Sequence, residues 1–529
     1  MKRKIIYILP LVIAILTIGA GCKKSTFDIN KNPNLPTDST INFRTVLPAA
    51  LLNSANIVSN QWTWLQNWMG YWARSGSFAP NATEESYNVT SSFQTGVWSN
   101  LYDNAFDYQS IIAGARKVNA GYYEGVARIM RAHNFQILVD VYNNVPYFNA
   151  LKGNANPTPT YDNGLAIYQD LFRQIDTAQK LLKTTSLTSG ANADRVTNDI
   201  VFKGDPVKWR KFGNTLKLRL MVHMSALTTF NFARERDSIL ADGAGFITTI
   251  ANGESAEVNP GFTADKPNNF HNAFIRNVQG NLTGLNNQNR ANAYAVDYYT
   301  FNGDPRRNTF YTPVGSAYVG VPYGAPPVAA NSTGNLSGIG TALGRTNIFS
   351  QWLLTSTESL FLQCEARFRG YIPGSAAATY QQAVTESFIT NLLPTATSQA
   401  AAIATGTTQA SNYLAGNASY PDVDFSVPST LPGFTGGGLY AIISQKWFAL
   451  NGFAPFEVWT DYRRTKMRYG VDPAVGFRLG PPISISPSNN SSVIPRRLIY
   501  PQSEYNFNAA NVGGQGVINQ FTSKIFWDL

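Results

Sequence analysis

Three histidines, His133, His223 and His271, are the side chains of this 529-residue sequence that titrate near neutral pH unaided. None is spaced for catalysis. A zinc protease needs H-E-x-x-H, which places two imidazoles on one helix face, and that spacing is absent. There is no G-x-S-x-G nucleophile elbow, and without a Gly-Lys dipeptide there is no phosphate-binding P-loop. Gly338-Ile339-Gly340 with Gly344 misses a dinucleotide fingerprint by one residue and lies in a Gly/Ser loop rather than after a strand. A glycosidase would need two carboxylates at a fixed separation, one with a raised pKa. The 32 acidic residues offer no such pair with a recognisable context. Pro421-Asp422-Val423-Asp424 lacks the Gly and terminal Glu of a calcium loop and reads as a solvated turn. The expectation is a protein that is not an enzyme, with no cofactor and no metal.

Binding chemistry is better represented. Residues 75–92 (SGSFAPNATEESYNVTSS) form a polar stretch that carries Phe78, Asn81 and Tyr87. An aromatic ring on such a stretch calls for a reason more than a ring on an apolar stripe does. Residues 244–350 are rich in Gly, Asn, Pro and Tyr, and irregular segments of this length usually bind something. Asn286, Asn287, Asn289 and Arg290 precede the one helix expected there, near 291–300, and Tyr318 and Tyr323 follow it. The candidate ligand contacts are Phe78, Asn81, Tyr87, Asn287, Arg290, Tyr318 and Tyr323.

The elements that must hold these loops are mostly helical. Apolar spacing predicts helices within 42–74, ending in QWTWLQNWMGYW, where Trp64, Trp68 and Trp72 recur every four residues. That stripe reads as core, with a ligand platform as the alternative. Further helices are expected from about 93 or 98 to 117 and at 122–140, 161–184, 206–228 and 232–242, then at 355–370, 376–391, 437–450 and 455–465. His133 shares a face with Val126, Ile129, Met130 and Ile137 and reads as a core histidine. Cys364 lies on a stripe with Leu360, Phe361 and Phe368, as a small buried hydrophobe rather than a disulfide or metal partner. Asn451-Gly452 ends one helix, Pro455 opens the next, and Phe456, Trp459 and Tyr462 then make an aromatic face before Arg463 and Arg464. Glu358 and Glu365 fall seven residues apart on one helix face, placed to anchor Arg463, Arg464 or Arg497.

Composition agrees with a folded chain, since 13% aromatic residues against 14% charged supply a large core. The net charge of +10 includes Lys2, Arg3 and Lys4, and no run of five basic residues occurs, so no nucleic-acid partner is read. Those three cations precede an uncharged apolar run to Gly21 and then Cys22. Residues 1–21 therefore read as an export signal, too short and too broken by Pro10 and Gly19-Ala20-Gly21 for a membrane span. Residues 23–40 (KKSTFDINKNPNLPTDST) read as a tether.

Several fragments together resemble one family. QKW at 445–447, W-x-D-Y-R-R at 459–464 and P-R-R-x-x-Y-P-x-x-E at 495–504 are similar to the late region of SusD/RagB proteins, nutrient-binding lipoprotein partners of TonB-dependent transporters. LVDVYNNVPYFNALKG (138–153) resembles a second family pattern through Asp140 and Pro146-Tyr147, with Asn143 where glycine is usual; Asn can supply the same positive φ. Asp304-Pro305-Arg306, the glutamate-bearing 355–370 and Asp28–Asn34 match as well. The resemblance implies a mostly α fold of tetratricopeptide-like helical hairpins packed against the loop-rich part at 244–350, although no clean internal repeat is present. It implies a single SusD-like domain over 41–529 behind an anchor and tether at 22–40, with Cys22 lipidated. The lipobox is imperfect, since Gly19 stands where Leu is usual, and a plain secretory cut near Gly21 is the alternative. The implied function is capture of oligosaccharides at the outer-membrane surface for a SusC-like transporter. A peptide receptor of the same architecture, a secreted glycan-cleaving enzyme and a purely structural surface protein are the other readings.

Overall fold

The computed structural model describes residues 42–429, 431, 434, 437–465 and 480–528. The expected leader, Cys22 and the expected tether lie outside the described residues. Contacts divide the chain into Met1–Asn42 and Phe43–Leu529, and the second unit is mostly helical.

Helices α1 (Phe43–Asn60) and α2 (Thr63–Trp68) come first, then a short strand β1 (Trp72–Arg74) and one turn of helix, α3 (Ala82–Glu85). The long helices α4 (Thr95–Lys117), α5 (Gly121–Tyr142), α6 (Gly164–Thr184) and α7 (Pro206–His223) pack one on the next, with α8 (Ala233–Asp242) beside the last two. Three-residue and longer connections fold consecutive helices back on each other, as the hairpin expectation required. Local chemistry sets the starts. Asn163 caps α6 by accepting from the amides of Leu165 and Ala166. Asp205 caps α7, whose first residue is Pro206.

The irregular part contains β2 (Ala256–Val258), β3 (Asn289–Ala291), α9 (Ala293–Phe301), β4 (Tyr311–Thr312), β5 (Gly338–Ile339) and β6 (Gln351–Leu354). They pair as three two-stranded antiparallel ribbons, β1–β3, β2–β6 and β4–β5. Helices α10 (Ser356–Phe368), α11 (Ala376–Leu392), α12 (Gln399–Gly416), α13 (Leu439–Ala449) and α14 (Pro455–Arg464) complete the scaffold. No helix among the described residues is long and apolar enough to cross a membrane.

Three expectations need correction. The tryptophan stripe is not one helix: α2 stops at Trp68, Gly70 adopts φ +78°, and Trp72 enters β1. All three rings are nevertheless buried, as core. Helix α12 was not expected, because its buried face is only Ala402, Gly406, Ala410 and Tyr413. A face of small residues gives no hydrophobic period; it fits because Gly406 lets the backbone of Ile389 approach. Asp422 is no solvated turn residue either. It is fully buried and accepts hydrogen bonds from the Tyr298 hydroxyl and the Asn302 amide, both at 2.9 Å.

Buried charge ties the late region to the early helices. Arg464 forks onto Glu365 with two 2.6 Å bonds and also meets Asp461. Glu358, expected on the same arginines, pairs instead with Arg219 of α7. Arg463 lies 3.6 Å over the Trp459 ring and donates to the carbonyls of Asp140 and Arg496, and Arg497 donates to the carbonyl of Tyr142. Asn143 takes φ +69°, as the turn after Tyr142 demands. Gly452 does double duty: its φ is +76°, and a Cβ there would lie 2.0 Å from Leu343.

Candidate functional site

The loop after β1 is organised by one buried arginine. Arg74 pairs with Glu85 of α3 and donates to the carbonyls of Phe78 and Ala325, at 2.8 and 2.9 Å. These bonds fix both ends of the 75–85 loop and pin it to the irregular part. Thr333 adds a second clamp, bonding the Ser75 hydroxyl at 2.7 Å and the Asn287 carbonyl at 3.0 Å. The β1–β3 ribbon sets Ala73 opposite Arg290 and so brings the 284–291 stretch alongside.

Within this frame the seven candidate residues take different parts. Phe78 is half-buried and Asn81 is exposed; Asn81 also caps α3 through the Glu84 amide at 3.2 Å. Asn287 and Tyr318 are half-buried, and the Arg307 guanidinium stacks 4.3 Å from the Tyr318 ring. Tyr87 is not a platform. It is 0% exposed, with its ring centroid 5.5 Å from that of Trp68 and its hydroxyl accepting the Ser484 amide. Tyr323, at 1% exposure, contacts Tyr87 and reaches Glu84. Both rings are packed into the core rather than left open to solvent. Arg290 is 7% exposed, and among the described residues its side chain makes one hydrogen bond, a long 3.4 Å contact to Asn287.

Beside α3 opens a cavity of about 730 Å³, lined by Thr83, Ser86, Tyr87 and Asn88 and by Ser488, Asn490, Ser491, Ser492 and Phe521, so that one predicted contact, Tyr87, borders it despite its burial. Hydroxyls, amides and a half-buried ring make this a surface suited to a polar ligand with apolar faces. Its far wall is not legible in the sequence. The run PSNNSS at 487–492 looks like any polar turn, and Phe521 stands alone near the end of the chain.

Electrostatics give this loop a pH response. Burial pushes the Glu84 carboxyl up to about 7, against the pull of its hydrogen bond from Asn67. A carboxyl raised above its unfolded value contributes stability that is complete below the unfolded pKa and lost as pH rises through the folded one. The 75–93 segment should therefore protect its amides from hydrogen exchange better at pH 5 than at pH 8.5. Glu84→Gln should remove most of that difference. The expected size is on the order of 1–2 kcal/mol, less than the full linkage because the side chain keeps some contact with water. An unchanged pH difference in Glu84→Gln would refute the assignment.

His133 is buried and pushed down to about 3 by desolvation, hence neutral. His223 lies between Asp140 and Glu457, each at 2.9 Å, and all three are buried as part of the scaffold. Among the described residues no group of three or more His, Cys, Asp or Glu is arranged to hold a metal ion.

Comparison with known proteins places this architecture. The family model described as SusD-like, starch-binding and associating with outer membrane matches residues 33–501. Among solved structures, a SusD/RagB family protein from Bacteroides thetaiotaomicron is 19% identical with a TM-score of 0.68, over 92% of this chain and 99% of that one. A chitin-binding SusD homolog from Flavobacterium johnsoniae is 20% identical with a TM-score of 0.68, over 92% and 99%. A chitin-binding protein is 23% identical with a TM-score of 0.67, over 92% and 100%. No curated protein matches. At these identities the structures establish a shared fold, while the family match spans most of the sequence: the chain belongs to the SusD/RagB family of SusD-like proteins.

Proposed function

We propose that this protein is a cell-surface nutrient receptor that captures oligosaccharides and passes them to a TonB-dependent outer-membrane transporter. It would be held at the membrane by acyl chains on Cys22, at about 0.8 kcal/mol per buried methylene. The family match over 33–501 carries the reading, and the chitin-binding relatives favour a glycan over a peptide. The loop chemistry supports it too. Phe78 and the face of Tyr318 that Arg307 does not cover would meet sugar C–H groups, while Asn81, Asn287 and the hydroxyl-lined cavity beside α3 suit sugar edges. Tyr87 and Tyr323, both buried, would hold the loop in place rather than stack on the ligand.

Two such rings, at roughly 1–2 kcal/mol each, correspond to weak capture on the order of millimolar to tens of micromolar. Weak capture suffices for a receptor tethered over its transporter, because tethering raises the effective ligand concentration. Phe78→Ala and Tyr318→Ala should each weaken oligosaccharide binding roughly five- to thirtyfold, the equivalent of one ring. Unfolding midpoints should stay within experimental error, since both rings are only half-buried. Binding that is intact in both variants would remove these two residues from the contact surface. Binding of peptides alone would favour the peptide receptor.

A further inference from the structure

Arg290 is a buried cation that has no counter-ion among the described residues. Other buried arginines pair with a carboxylate, as Arg74 does with Glu85 and Arg306 with Asp304, or donate to main-chain carbonyls and stack on rings, as Arg463 and Arg497 do. Arg290 does neither. Its Nε is sealed from water with no partner, and Nη2 makes only the long contact to Asn287. Nη1 has no acceptor and is not among the sealed atoms, so it keeps contact with solvent. Burial draws the guanidinium pKa down, and no neighbouring carboxylate draws it back.

The position is built rather than incidental. Strand β3 holds the Arg290 backbone against β1, and the β4–β5 ribbon sets Gly338 opposite Thr312 beside the guanidinium. A Cβ on Gly338 would fall 2.5 Å from Nη1 and 3.0 Å from the Thr312 hydroxyl, so the absence of a side chain there leaves room for the cation. An unpaired buried charge is costly, and a fork of donors with a free nitrogen is completed by a planar carboxylate. Without Lys2, Arg3 and Lys4 of the expected leader the net charge is 10 − 3 = +7, which would draw anions to the surface as well.

We infer that Arg290, with Asn287 and Thr312 beside it, receives the carboxylate of an acidic sugar, so that the ligand is a uronic-acid- or sialic-acid-bearing oligosaccharide rather than a neutral one. The inference rests on the oligosaccharide reading above and names its substrate class.

The test is calorimetric titration of the chain lacking residues 1–22 with matched pairs: galacturonate and galactose trimers, glucuronate-bearing and plain xylo-oligosaccharides, sialyllactose and lactose. At least one acidic member should bind tenfold or more tighter than its neutral counterpart. Arg290→Gln should erase that difference, and Arg290→Lys should restore part of it. Gly338→Ala should also reduce it, since the new methyl displaces the flexible end of Arg290 without removing its charge from the protein. Circular dichroism and unfolding midpoints would confirm that each variant is folded. Equal binding of acidic and neutral members, or an acidic preference that survives Arg290→Gln, would overturn this inference and leave glycan capture standing. Binding of peptides with no saccharide bound would overturn both.

Discussion

Arg464→Met should cost the protein about 3–5 kcal/mol, the usual penalty for removing one partner of a buried ion pair. Arg464 is fully buried between Glu365 of α10 and Asp461 of α14, donating 2.6 Å bonds to each. Methionine fills much of the volume but leaves two buried carboxylates to Arg369 and Lys446 alone. Burial works against the Glu365 charge, but Arg464 and Arg369 outweigh it and hold its pKa well below the usual carboxylate range. A depressed carboxylate contributes stability that is present above its unfolded pKa and lost as pH falls through the folded one. The wild-type protein should thus keep this contribution in full from neutral pH down to about 4.5 and lose it progressively below, and Arg464→Met should lack it throughout. Urea denaturation at pH 7 and pH 4.5 measures both. A loss below about 1 kcal/mol at both pH values would show that the pair only offsets its own desolvation.

The second large effect belongs to His223→Gln, expected at about 3 kcal/mol near pH 6. His223 of α7 is fully buried, with Nδ1 facing Asp140 of α5 and Nε2 facing Glu457 of α14 at 2.9 Å each. Because both ring nitrogens meet carboxylates, the imidazole donates from both and is cationic. Burial opposes that charge, yet Glu457 and Asp140 prevail and raise the pKa above its ordinary value. For a raised histidine the sign runs the other way from Glu365: its contribution is complete below the unfolded pKa, about 6.5, and is lost as pH rises through the folded value. Stability of the wild type should therefore fall on the alkaline side by more than that of His223→Gln. Equal slopes between pH 6 and pH 10 would contradict a charged His223.

These two clusters also show which parts of the molecule the amino-acid order exposes. Caps and periodicity are local, so α4 to α8 and α10, α11, α13 and α14 were legible within a few residues. The Glu365–Arg464 pair could be anticipated because both residues sit in family-like fragments. Glu358 could not be assigned, since its partner Arg219 lies 139 residues away on a helix with no distinguishing motif. The site was harder still. Tyr87 sits in a polar loop and looked exposed, but its hydroxyl is engaged 397 residues downstream at Ser484, a contact that no local pattern encodes. The cavity wall at Ser488–Ser492 and Phe521 was invisible for the same reason. Arg290 was selected for its place among asparagines, whereas what sets it apart is the absence of a partner, a property only the folded chain displays.

The most direct measurement of the central claim is calorimetric titration of the folded chain lacking residues 1–22 against parallel panels of oligosaccharides and peptides. Glycan capture predicts saturable binding of at least one oligosaccharide, on the order of millimolar to tens of micromolar, with no peptide bound. Saturable peptide binding with every oligosaccharide silent would contradict it.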